Sequence, residues 1–235
     1  VVRLANKLGF NGYPELRARV RLEVAADPVA TERRQQRYDS IEHGSNLALL
    51  VESEIAALNS VLSSVPQAQI NEATEMLAAA RSIYTVGRGS AAPLVAHLDR
   101  RLRRLGFATN VALNTQRRDL GEKLMGLGAG DVVLVFAFQV PESLPAGYAG
   151  LIQHAAQVGA RSIVISDSTG PTLRPRADLT LSVTRPDEGV MQLRTGPMIV
   201  CEALAMTLAH LNPERAVAGL EALEVLRQNL MNDKD

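Results

Sequence analysis

Seven apolar residues in a row, Val132-Val133-Leu134-Val135-Phe136-Ala137-Phe138, leave no position for a solvent-facing side chain. A strand of this kind is covered on both faces, which is the situation of a strand inside a parallel sheet. Four other short β-branched runs surround it in the chain: the run from Ile83 to Val86, Phe107 to Leu113, Ser162 to Ser166, and Leu179 to Val183. Between them stand segments with helical spacing of apolar residues. One follows Ser90 with Leu94, Val95, Leu98, Leu102 and Leu105. The others span Asp119 to Leu127, Tyr148 to Val158 and Met198 to Leu211. Strands alternating with helices define an α/β protein with a doubly wound, five-stranded parallel sheet of the flavodoxin-like kind. Ligands of such sheets sit beyond the carboxyl ends of the strands. The turns at 87–90, 137–142 and 166–170 are therefore the places to look.

Two helices precede the sheet. Asn46 to Leu62 carries a stripe of Leu47, Leu50, Val51, Ile55, Leu58 and Leu62, expected to pack on the sheet domain, to form a dimer contact, or both. Pro66 opens the next helix, which runs to Ala80. The formal charge of the chain is zero, so no global field calls for nucleic acid. The single cysteine, Cys201, excludes an internal disulfide, suits a reducing compartment, and reads as a buried structural thiol. No run reaches the length expected of a membrane span and no secretory signal is visible. The chain opens with Val1 inside a helical pattern, which reads as a truncated N-terminus.

That opening pattern covers residues 1–26. Leu4, Leu8 and the valine pair face inward, while Arg3, Asn6 and Lys7 face out. Gly9 and the Asn11-Gly12 turn end this helix, and Pro14 starts a second one carrying Arg17, Arg19 and Arg21. A short helix with exposed polar residues, a tight turn and another helix suit a helix-turn-helix reader of DNA. Arg3, Asn6 and Lys7 would lie nearest bases or phosphates. Residues 27–44 are polar and broken by Pro28 and Gly44, as a linker would be.

The turn Gly87-Arg88-Gly89-Ser90 links the first strand to its helix. Its glycines allow a sharp bend and close approach to a ligand, and Ser90 falls where a helix N-terminus would favour an anion. An ordinary turn with a serine cap fits the same residues. Dinucleotide binding also wants an acidic residue near the end of the second strand, and Asn110 to Asn114 has none. No Walker lysine follows the glycines. An aldose–ketose isomerase would need a base at the pocket, for which His43, His97, His154, His210 and Glu202 are the candidates.

Strand, Gly-x-Gly-Ser, helix, Leu-Gly-Phe, strand, short helix, Gly-Asp and buried strand together resemble the sugar-isomerase (SIS) domain over residues 45–212. The opening Val-Val-Arg-Leu-Ala-Asn-Lys-Leu-Gly-Phe-Asn-Gly-Tyr-Pro-Glu-Leu-Arg closely resembles the recognition helix and next helix of RpiR-type transcriptional regulators, which join a helix-turn-helix to a SIS effector domain. The resemblance implies a partial DNA-binding domain at 1–26, a linker at 27–44, a SIS domain at 45–212 and a helical tail at 213–235. It also implies a cytoplasmic regulator acting as a homodimer or homotetramer on operator DNA, with no catalytic residue, cofactor or metal.

The small-molecule effector, a sugar derivative or related metabolite, would sit among Gly87, Arg88, Gly89, Ser90, Gln139, Glu142 and Ser166. One departure bears on its chemistry. The family's Ser-x-Ser-Gly-x-Thr phosphate loop is represented here by Ala137, Phe138, Gln139, Val140, Pro141 and Glu142, without a hydroxyl. Glu142 would repel a phosphate, which Arg88 offsets in part. These residues favour a less charged head group, and they also fit an empty pocket in a SIS domain that serves only for dimerisation.

Overall fold

A computed structural model of the chain describes residues 46–113, 117–138, 147–167, 171, 173–184 and 194–232. The helices and linker expected at 1–44, with Arg3, Asn6 and Lys7, fall outside these residues, as do Gln139 and Glu142. The chain divides into two compact units. One is Val1–Ser53 with Asp187–Gln192, and the other is Glu54–Pro186 with Leu193–Asp235. The second holds the sheet.

Five strands build it: β1 (Ile83–Gly87), β2 (Thr109–Leu113), β3 (Val132–Ala137), β4 (Arg161–Ser166) and β5 (Leu179–Ser182). Their order is β2-β1-β3-β4-β5 and every pairing is parallel. The expected doubly wound α/β sheet is therefore present. Every residue of β3 is buried, as its unbroken apolar run requires.

Alternation along the strands feeds two cores. Toward one face point Ile83, Leu134, Phe136, Ile163, Ile165 and Leu181. They pack on α2 (Gln67–Ala78), α3 (Ala92–Arg104) and α6 (Thr195–Leu211) through Leu77, Leu98, Leu204 and their neighbours. Toward the other point Tyr84, Val86, Val133, Val135 and Val164, against α4 (Arg117–Lys123) and α5 (Tyr148–Gln157). Cys201 lies fully buried on α6, and burial pushes its thiol up to about 12, so at neutral pH it is an inert apolar filler. A last helix, α7 (Pro213–Asn232), docks on the corner after α3. There Arg215 donates to the Gly106 carbonyl at 3.2 Å and covers the Phe107 ring at 3.9 Å.

Several boundaries differ from the sequence reading. The strand expected from Phe107 begins at Thr109, because Phe107 turns its side chain into the core and its N–H back to the Leu102 carbonyl at 3.0 Å. The helix expected from Met198 begins at Thr195, and the one expected to reach Leu127 closes at Lys123. Helix α1 (Asn46–Ser64) buries Ala57 and Val61; of its apolar stripe Leu50 and Leu58 are half-buried, while Leu47, Val51, Ile55 and Leu62 are exposed. Ser60 on this helix donates to the Thr184 carbonyl at 2.7 Å. Leu47–Ser64 is also long and apolar enough, by length and composition, to cross a bilayer, which corrects the expectation that no run reaches that length. Glu52 and Glu54 lie inside it, residues that are costly in hydrocarbon.

Candidate functional site

The strand order reverses between β1 and β3, so the crevice of this sheet opens beyond Gly87 and Ala137. Gly87 pairs with Phe136 on one side and Leu113 on the other. Its missing side chain is demanded by the fold itself. A Cβ there would stand 2.6 Å from Val95 Cγ2 and 3.3 Å from Ala91 Cβ, because α3 comes down directly on the strand end. Gly89 is a glycine for a different reason. Its φ of +55° is the left-handed conformation, with open space where a Cβ would be.

The α-helix does not start at Ser90 as expected. Gly89–Ala91 form one 3-10 turn, closed by the Ala91 N–H on the Arg88 carbonyl at 3.1 Å, and Ala91 takes the N-cap position of α3. Ser90 is exposed and caps nothing. Its hydroxyl instead accepts a hydrogen bond from Arg194 Nη2 at 3.2 Å. Arg194 stands immediately before α6, and its guanidinium lies over the Phe138 ring at 4.4 Å. Phe138 is the first residue after β3 and half-buried against the core. The crevice thus gathers Arg88, Ser90, Phe138 and Arg194 from three connections of the sheet.

Burial raises the Tyr148 phenol at the head of α5, and the nearby Arg88 charge pulls it part of the way back. Ser166, expected to face the ligand, does not. It is fully buried, and its Oγ donates to the Ala137 carbonyl, tying the ends of β4 and β3 together. Its role is to hold the lip of the sheet.

The candidate bases are placed as well. His97 Nε2 and Glu202 Oε1 are 2.5 Å apart, and Arg101 Nη2 reaches Glu202 Oε2 at 3.0 Å. This cluster bridges α3 and α6. In the sequence it lies seven residues after Ser90 and eight after Arg194. His154 and His210 are exposed, and His43 is outside the described residues. His154 lines a separate apolar groove of about 500 Å³ between α4 and α5, with Leu120, Leu124 and Leu151.

Arg194, Phe138 and Tyr148 were not singled out from the sequence. Gly196-Pro197 ahead of an apolar helical pattern marks the start of α6 and places Arg194 at the strand ends. No local pattern pairs it with Ser90, 104 residues away.

A 2-1-3-4-5 parallel sheet with a Gly-x-Gly-Ser turn at its switch point, preceded by two helices, is the architecture of the sugar-isomerase domain, and solved structures establish that fold for this chain. The sugar isomerase domain of an RpiR transcription factor from Sphaerobacter thermophilus is similar at 22% identity and a TM-score of 0.67, covering 77% of this chain and 98% of that one. The Vibrio vulnificus NanR protein, solved with ManNAc-6P, is similar at 17% identity and a TM-score of 0.60. That match covers 99% of this chain and 81% of the other. A proposed sugar-phosphate isomerase from Listeria monocytogenes is similar at 14% identity and a TM-score of 0.57, over 75% of this chain and 97% of that one. No protein-family model and no curated protein matches the chain.

Proposed function

We propose that this chain is a DNA-binding transcriptional regulator whose SIS-type domain senses a small sugar derivative. The observation that carries the reading is the crevice at the β1–β3 switch point, where Gly87, Arg88, Gly89 and Ser90 meet Arg194 from the far end of the domain. Gln139 and Glu142, which follow β3 in the sequence, are kept as candidate effector contacts in this reading. The likeness to NanR supports the assignment, since it extends over 99% of this chain and that protein was solved with a sugar phosphate.

In this reading Arg3, Asn6 and Lys7 touch the operator, and two copies of the chain present two such readers to a palindromic site. Effector in the crevice shifts the population between two dimer geometries, and with it the affinity for DNA. The protein works in the cytoplasm. The reading is a non-catalytic one, in which His97 and Glu202, the one imidazole–carboxylate pair among the described residues, are tied to each other and Glu202 to Arg101.

The test uses the full-length protein, including any residues that precede Val1. It is incubated with a pool of random-sequence duplexes, and bound molecules are recovered and sequenced over successive rounds. Enrichment of a palindromic motif is expected, along with no turnover of sugar phosphates by the same preparation. A pool that stays random overturns the reading; interconversion of an aldose and a ketose phosphate would move the protein among the isomerases.

A further inference from the structure

The connection from β4 to β5 contains no α-helix among the described residues, so β5 lacks the cover that α4 and α5 give the other strands on that face. Alternation along β5 shows the consequence. Leu179 and Leu181 are buried in the first core, whereas Thr180 and Ser182 turn to the other side and stay half-buried. On that side lies a cavity of about 320 Å³. Val164 and Thr180, partners across β4 and β5, line it together with Leu173 and Arg176 of the connecting loop. Ser64 and Gln69 line it from the corner between α1 and α2. The loop is tied into shape by its own residues. Arg174 Nη1 donates to the carbonyls of Pro171 at 2.7 Å and Leu173 at 2.8 Å. At the loop's end, Asp178 accepts from the Ser162 N–H at 2.7 Å and the Ser162 hydroxyl at 2.8 Å.

Gln69 Oε1 is buried and accepts no hydrogen bond. A buried acceptor without a donor is unfavourable, and folded proteins seldom keep one without a use. The Thr180 hydroxyl and the Arg176 guanidinium have no protein partner among the described residues either, and no described residue lining the cavity is acidic. A cation, hydroxyls able to turn and an acceptor in want of a donor are complementary to one kind of molecule. It carries a negative group for Arg176 and a hydroxyl that donates to Gln69.

We propose that this cavity is a second small-molecule site, which takes a short hydroxylated carboxylate or phosphate. Its anionic group meets Arg176, one hydroxyl donates to Gln69 Oε1, Thr180 and Ser64 reach its remaining oxygens, and its carbons lie on Val164 and Leu173. The volume is at the lower end for ligand sites and leaves no room for a dinucleotide. The site shares no residue with the crevice between β1 and β3, and it stands whether or not the chain reads DNA.

Glycerate, glycerol 3-phosphate, propionate and glycerol are titrated into the full chain by calorimetry, with thermal melting alongside. At least one of the two hydroxylated anions binds saturably. Propionate, which has no hydroxyl, and glycerol, which has no charge, bind more weakly by about tenfold or more. Gln69→Met keeps the length of the side chain and removes the acceptor. It weakens the anion by about tenfold and raises the unliganded melting temperature, because the unmet oxygen is gone. Arg176→Gln, at an exposed position, also weakens the anion by about tenfold and leaves the unliganded melting temperature unchanged. Arg227→Ala, at an exposed arginine on α7, binds like the parent and controls for net charge.

An anion that binds Gln69→Met and Arg176→Gln as tightly as the parent sits elsewhere on the chain, and the proposal is overturned. Propionate or glycerol bound as tightly as the hydroxylated anions overturns it too, as does a parent chain that binds neither anion. A Gln69→Met chain that melts no higher than the parent shows that the oxygen already has a partner, with the same result.

Discussion

Gly87 stands under two demands that a sequence cannot separate. A glycine at the end of a strand permits close approach of a ligand, and it also permits close approach of a helix. The structure identifies the second demand: Val95 Cγ2 would be 2.6 Å from any Cβ at this position, and Val95 is itself fully buried on α3. Gly87→Ala must therefore push α3 away from the sheet or force Val95 off its rotamer. A loss of about 1–3 kcal/mol is expected, in the range for overpacked cores. Val95→Ala makes room, so the pair of substitutions costs less than the sum of the two singles. Urea unfolding of the four proteins measures this coupling; strict additivity would show that Val95 is not what excludes a side chain at Gly87. Gly89 faces no such neighbour, and its glycine answers to backbone conformation alone.

At the scale of elements, the strands were readable and the junctions between them were not. Each strand announces itself through β-branched and apolar runs, which report burial on both faces without reference to any partner. Ser90 misled because a serine ahead of a helical pattern is a cap in most settings, whereas here a single 3-10 turn intervenes and the hydroxyl meets a side chain from α6. Ser166 is a similar case: a serine at the end of a strand reads as open to a ligand, whereas here its hydroxyl is buried and donates a hydrogen bond to the Ala137 carbonyl of the neighbouring strand.

The entry to β3 shows how such long-range ties hold elements together. Asp131, almost fully buried, accepts from Arg81 Nε at 2.9 Å and Nη2 at 2.7 Å, and from the Gly128 N–H at 2.9 Å. It thereby pins the residues before β1 to those before β3. The hydrogen bond from Arg81 holds the Asp131 carboxyl below its ordinary value of 3.8, against the effect of burial. A carboxylate depressed on folding contributes stability that is fully present above its unfolded pKa and is lost as pH falls through the folded one. Asp131→Asn is thus expected to cost about 2 kcal/mol near neutrality, the worth of a charge-assisted hydrogen bond. The gap between parent and variant should narrow once the pH drops below about 4. Urea midpoints across that range check it, and a gap that stays constant with pH would assign the loss to packing instead of charge.

For the whole molecule, the reading of the N-terminal residues makes a claim that can be divided between side chains. Arg3 and Lys7 are cations, suited to phosphates, while Asn6 is neutral and suited to a base edge, where an amide pairs with adenine. These contacts have different signatures. Each phosphate contact releases counterion on binding, so the logarithm of the association constant falls with the logarithm of salt by about 0.9 per contact. Replacing Arg3 and Lys7 together by alanine should therefore weaken binding to every duplex and reduce that slope by about 2 per copy of the reader. Asn6→Ala should leave the slope alone and instead relax the preference at one position of the motif, by about 1–3 kcal/mol between the favoured base and the others. Fluorescence anisotropy at several salt concentrations, on the selected motif and on single-base variants of it, separates the two effects. A chain whose formal charge is zero offers little non-specific attraction to mask them. If the Arg3 and Lys7 replacements leave the slope unchanged, these helices do not lie on the phosphate backbone. The same titration with a saturating effector then measures the coupling between crevice and operator. By linkage, the factor by which effector alters DNA affinity must equal the factor by which DNA alters effector affinity.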